Sequence, residues 1–177
     1  MKKIICLFFI LSFFENTFCQ DVLINGSTKY RLLTWDDFSG KPDKDSPFQA
    51  NTSWGISYGF KGVDFAGDTV KFKNLTVTLK FDETKSWVKE GKKIPYLLKH
   101  EQGHFDIALI CHREIIKTIN NAVFLKADFK EKLRTIFTDT IKKYRLMQVQ
   151  YDEETDHSKN EVNQQKWNDI IAKALQQ

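Results

Sequence analysis

The sequence predicts an α+β protein: a small, mostly antiparallel sheet in the first half packed against about three helices in the second. Three observations carry this. Residues 30–81 break into short apolar runs separated by Gly, Pro, Asp and Ser, as strands and turns do. After Pro95, apolar side chains recur at helical spacing over twenty-odd residues. Two further stretches, DFKE and SKNE, carry the cap-x-x-Glu pattern of a helix start.

The first nineteen residues stand apart from the fold. Lys2 and Lys3 precede an apolar run from Ile4 to Phe14, too short for a membrane span of ~20 residues and suited to a secretory leader. Cleavage after Cys19 leaves Gln20 as the new terminus and residues 20–177 as a single domain with no transmembrane segment, secreted or periplasmic. The alternative is a lipid anchor on Cys19, to which Phe18 is a poor neighbour because lipoprotein processing prefers a small residue there. Loss of Lys2, Lys3 and Glu15 from 27 basic and 23 acidic residues leaves 25 and 22. That small surplus is spread along the chain and supports no nucleic-acid partner. Cys6 and Cys19 leave with the leader, so Cys111 has no disulfide partner.

In the first half, RLLTW (31–35) is predicted as a strand and SGKPDKDSP (39–47) as a loop. TSWGISYGF (52–60) reads as a strand whose two glycines mark bends or close backbone approach. TVKFKNLTVTLKFD (69–82) is the best β segment, with Val70 and Phe72, then Val77, Leu79 and Phe81, spaced by two. Its edge is where an extended peptide is expected to lie. In the second half, Pro95 suits a first helical turn. Leu97, His104, Ala108, Cys111, Ile115, Ile119 and Ala122 then share one face. A second helix is expected from the Asp128–Glu131 capping box through Tyr144. A third follows the Ser158–Glu161 box, with Val162, Trp167, Ile170, Ile171 and Leu175 buried.

The stretch LLKHEQGHFD places His100 and His104 four residues apart on the first helix, on one side and one turn apart. Their imidazoles can converge on one zinc ion at ~2.0–2.1 Å. Glu101 is rotated aside, able to serve a metal-bound water as proton acceptor and donor. By composition alone the pattern recurs in roughly a few chains per thousand, so context matters. Here the histidines share the stripe that becomes apolar further on, where an unpaired polar group is costly. The bland reading is a structural histidine pair.

A catalytic zinc usually takes three protein ligands. His112 lies roughly 12 Å along the axis from His104, and Glu131 heads the second helix at the far end. His157 is better placed, because a returning second helix of similar length brings Tyr151–Ser158 back to the level of the histidines.

HEQGHFDIA, YDEETDHS and TWDDFSGKPD together resemble the domain of unknown function 922 family, over roughly residues 30–158. The resemblance implies a secreted bacterial zinc-dependent peptidase with His100 and His104 as ligands, Glu101 as catalytic carboxylate and His157 as third ligand. Ser158 stands where the family's glycine is expected. Tyr151 and Asp152 are further candidates, as an oxyanion stabiliser and an orienter of an imidazole; helix-end packing and a turn cap are the bland readings. Cys111 reads as a buried apolar group. Trp35, Trp54, Phe48 and Phe60 could floor a groove, though aromatics in strands are usually core. The expected protein is zincin-like, binds one Zn2+ and hydrolyses a peptide or protein substrate. The alternative is a non-catalytic zinc-binding surface or accessory protein that keeps the helix for structure; a metal-free helical interaction domain is a third reading.

Overall fold

In the computed structural model, which describes residues 19–28 and 30–176, short strands precede three helices, as the sequence predicts. The expected leader lies, Cys19 apart, outside the described residues. The strands are β1 (Cys19–Leu23), β2 (Ala50–Asn51), β3 (Trp54–Gly59), β4 (Gly62–Ala66), β5 (Thr69–Lys73), β6 (Thr76–Phe81), β7 (Trp87–Val88) and β8 (Phe124–Leu125). Among the described residues they form three small sheets rather than one: β1-β6-β3, β2-β7 and β4-β5-β8. All pairings are antiparallel except β1 with β6.

Two expectations for the strands change. The 69–82 segment divides at Asn74, whose φ of 49° is a left-handed conformation that asparagine tolerates. The chain turns there, so β5 and β6 enter different sheets. Each is the middle strand of its sheet, β5 paired with β8 only at Thr69 and Val70, so Val70–Phe81 is not the edge strand expected for a peptide. Arg31–Trp35 is not a strand either. It leads into a 3-10 turn, Trp35–Asp37, where the buried Asp37 carboxylate accepts from the Thr34 N–H at 2.7 Å and from Arg31 at 2.7 Å. Such local side-chain bonds satisfy backbone that would otherwise pair in a sheet.

Helix α1 (Pro95–Asn121) opens on its proline, which needs no N–H at that position. Leu97, His104, Ala108, Cys111, Ile115 and Ile119 are buried along its length. Helix α2 (Phe129–Thr155) returns antiparallel, since Gly103 meets Tyr151, Cys111 meets Thr140 and Glu114 meets Lys143. Helix α3 (Glu161–Leu175) crosses both. Neither predicted capping box forms. Asp128 makes no side-chain cap bond, and Glu131 pairs with Arg134 at 2.6 Å because the next turn holds a cation within reach. Asn160, not Ser158, caps α3 by accepting from the Asn163 N–H at 3.1 Å. On α3 the buried stripe is Gln164, Trp167 and Ile171, while Val162 and Ile170 stand beside it and are exposed.

The apolar core lies on both sides of α1. One cluster joins Val70, Leu75 and Val77 to Ile107, Ile115, Ile119 and Trp167; the other joins Leu79, Phe81 and Trp54 to Leu97 and Phe105. Cys111 is buried and free, its thiol pushed up to about 12 by burial and the nearby Glu114 charge. His112 is buried against the Val77 carbonyl at 2.8 Å, away from the other histidines. Among the described residues no helix is long and apolar enough to cross a membrane.

Gly103 sets the approach of α1 to α2. A β-carbon there would stand 2.9 Å from Cζ of Tyr151 and nearer still to its hydroxyl. Gly103→Ala gains up to ~1 kcal/mol of helix propensity but forces the buried Tyr151 ring to move, a strain of ~1–3 kcal/mol. The expected net result is destabilisation, read as a lower denaturant midpoint; an unchanged or higher midpoint would refute the tight contact.

Candidate metal centre

The first turns of α1 and the last turns of α2 meet at a polar cavity of about 170 Å³. His100, Glu101 and His104 project from α1, and Arg145, Gln148 and Asp152 from α2. The α2 trio falls at i, i+3 and i+7, a spacing that keeps side chains on one face. His100 and Glu101 are each 3% exposed and His104 9%.

Each imidazole has a fixed outer partner. His100 Nδ1 lies 2.8 Å from Gln164 Oε1. The amide of Gln164 is oriented by its other end, where Nε2 donates to the Tyr151 hydroxyl at 2.7 Å and to Asn168 at 3.0 Å. Tyr151 in turn donates to the His100 carbonyl at 3.1 Å and stacks on the His100 ring, 4.7 Å between centroids. His104 Nδ1 bonds Gln148 Oε1, and Gln148 Nε2 donates to the His104 carbonyl at 2.8 Å. Both glutamines therefore present oxygen to the rings, so both Nδ1 atoms carry the proton. Both Nε2 atoms face inward.

The inward atoms converge on one carboxylate oxygen. Asp152 Oδ1 lies 3.2 Å from His100 Nε2 and 3.0 Å from His104 Nε2. These three residues form a group that could hold a metal ion, with ligand atoms all within 4.8 Å of one another. The donor chemistry fits. With their Nδ1 protons committed, neutral rings turn lone pairs towards a carboxylate, and only a bound cation or an added proton makes that favourable. Ligand atoms around a tetrahedral ion at 2.0–2.1 Å are ~3.3 Å apart, which matches the separations from Asp152. Burial works against charging either partner. For Asp152 the two imidazole bonds outweigh it and hold the carboxyl well below the usual carboxylate range. For His104 the bond and charge of Asp152, with the charge of Glu101, outweigh it and raise the ring's pKa.

The candidate residues thus divide. His100, His104 and Asp152 come together, Asp152 on the inward, Nε2 side of the rings rather than behind them as an orienter. Tyr151 is fully buried with its hydroxyl engaged at both lone pair and proton, so it positions His100 and does not reach the cavity as an oxyanion donor. His157 stands at the rim, Nδ1 3.4 Å from the same Asp152 oxygen and its ring 4.4 Å from that of Phe48. Its backbone is left-handed, as are those of Asp156 and Ser158, and its N–H bonds the Asp152 carbonyl at 2.9 Å. The φ of 73° at Ser158 is one that glycine adopts without strain. Glu101 Oε2 accepts from the Thr52 hydroxyl at 2.7 Å. Asp106 faces elsewhere, accepting from Gln102 and Tyr30. Phe48 and Trp54 line the cavity; Trp35 packs on Phe38, and Phe60 on Phe72.

Sequence reasoning missed Gln148, Gln164 and Thr52. The first had a signal: Gln148 and Asp152, at i and i+4 on α2, repeat the spacing of the two histidines. A model of the family described as bacterial protein of unknown function (DUF922) matches residues 22–158. No curated protein and no solved structure matches the chain.

The raised pKa of His104 makes a signed prediction. Without metal, its pairing with Asp152 adds stability below the ordinary histidine value of ~6.5, lost as pH rises through the raised one. Metal binding needs neutral rings. The gain in melting temperature on adding a divalent metal is therefore expected to grow from about pH 5 to about pH 8. A gain that shrinks over that range in thermal scans would rule out imidazole ligation.

Proposed function

Since the chain belongs to the DUF922 family of bacterial proteins of unknown function, its chemistry must come from the site, and we propose that it is a zinc-dependent peptidase working outside the cytoplasm. The observation that carries this is Glu101. It is a buried carboxylate whose side chain is held by the Thr52 hydroxyl and makes no ion pair among the described residues, next to a group able to hold a metal. A buried carboxylate held by a single hydroxyl and left without an ion pair is costly. The nearby cation would balance it.

In this reading His100, His104 and Asp152 would hold one zinc ion, and His157, against the same carboxylate, would supply a further imidazole. The chemistry such an ion would supply is polarisation of the scissile carbonyl and a pKa of water lowered towards ~7. Glu101 takes a proton from the attacking water and passes it to the amide nitrogen as the C–N bond breaks. Thr52 holds that carboxylate at Oε2. The glutamines keep both Nδ1 atoms protonated, so the inward lone pairs stay available. Residues 48–52 replace β5 and β6 as the place for an extended substrate, because β2 pairs with β7 on one side only among the described residues and its segment lines the cavity.

Two sets of variants test this. His100→Ala, His104→Ala and Asp152→Ala are each expected to lose stoichiometric zinc, and His157→Ala to weaken zinc by roughly ten- to a hundredfold, read by elemental analysis and chelator competition. Retention of full affinity by the first three would sink the site. Glu101→Gln is expected to keep zinc and lose roughly a hundred- to ten-thousandfold in peptide cleavage. Equal cleavage by both proteins would leave the Glu101 mechanism without support, and none by either across varied substrates would favour the accessory-protein alternative.

A further inference from the structure

We propose that Arg145 is the receptor for a carboxylate of the chain bound in the cavity, making this a site for acidic peptides. This rests on the peptide-binding part of the reading above. Among the described residues Arg145 is the one lysine or arginine that lines the cavity, and it shares the α2 face of Gln148 and Asp152. Its guanidinium carbon lies 4.2 Å from the centroid of the Trp54 ring, and Nη2 reaches the Trp54 carbonyl at 3.4 Å. Trp54 is itself buried, so the platform is rigid. Stacking occupies one face of the guanidinium and the Trp54 carbonyl one Nη2 N–H, which leaves the other in-plane N–H groups for a planar acceptor.

No carboxylate of this chain takes that role. Arg145 makes no ion pair among the described residues, although Glu101 and Asp152 line the same cavity. Glu101 is held by Thr52, and Asp152 by the imidazoles. A preorganised cation thus faces a cavity whose own acids are committed elsewhere. Seven residues of helix separate Arg145 from Asp152, roughly 10 Å of rise, or about three residues of extended peptide at ~3.3 Å each. The carboxylate it meets is therefore within about three residues of the bond at the metal group, as an Asp or Glu side chain or as a free C-terminus.

The test uses full-length zinc-loaded Glu101→Gln protein to capture peptides from a random octapeptide pool, half with free C-termini and half amidated, sequenced by mass spectrometry. Captured peptides are expected to be enriched about five- to tenfold in carboxylate at one position. Adding Arg145→Ala should erase that enrichment while capture of neutral peptides persists, and Arg145→Lys should retain part of it. Enrichment of Asp or Glu in the amidated half assigns the side chain; enrichment confined to free acids assigns the terminus. No capture, no enrichment, or the same enrichment with Arg145→Ala would each overturn the proposal. Cleavage of the same pool by wild-type protein reports separately on the peptidase reading. Arg145-dependent capture without cleavage refutes only that reading, and cleavage without acidic preference refutes only this inference.

Discussion

Tyr151 is the contact on which the rest of the centre depends. It is fully buried where the three helices meet, its ring against His100 of α1 and Trp167 of α3. Its hydroxyl accepts a hydrogen bond from Gln164 and donates one to the His100 carbonyl, so one side chain fixes both the backbone and, through Gln164, the ring of the first histidine. Gly103 makes the contact possible by leaving room for that ring. The residue after Tyr151 is Asp152, and seating the tyrosine delivers the aspartate to the two inward nitrogens. The glycine inside the histidine motif and the acid on the distant helix are thus two ends of a single packing event.

The directional character of the network matters as much as its distances. An amide can face a ring with either end, and only the other bonds of each glutamine decide which. Gln164 spends its N–H groups on Tyr151 and Asn168, and Gln148 spends one on the His104 carbonyl. Oxygen is left for the imidazoles in both cases. The consequence is a pair of rings of one tautomer, aimed at one point, which is the preorganisation a metal ligand needs.

Much of this was legible in the sequence because it rests on local periodicity. Pro95, the 3.6-residue stripe and the four-residue histidine spacing each describe a single helix, and the α+β division follows from patterns of the same kind. What the sequence did not disclose depends on where separate segments meet. Arg31–Trp35 has strand-like residues, yet Asp37 captures its backbone. Val70–Phe81 has the best alternation, but alternation cannot tell a middle strand from an edge, and β5 and β6 are both middle strands. Asp128 and Ser158 fit a capping pattern that nearby partners override. At the site, glutamines carry no chemical signature that separates a ligand orienter from a solvated side chain, so Gln148 and Gln164 stayed hidden. Asp152 was visible only as a candidate because its role depends on which side of the rings it approaches.

The histidines occupy the opening turns of α1, whereas Ile107, Cys111, Ile115 and Ile119 further along the same helix are embedded in hydrocarbon. The helix is consequently wound and seated by a part of itself that lies beyond the two histidines. On the proposed function, loading would be a late, reversible event on a scaffold that is already complete, and the free metal level of the surroundings would set what fraction of the molecules is competent.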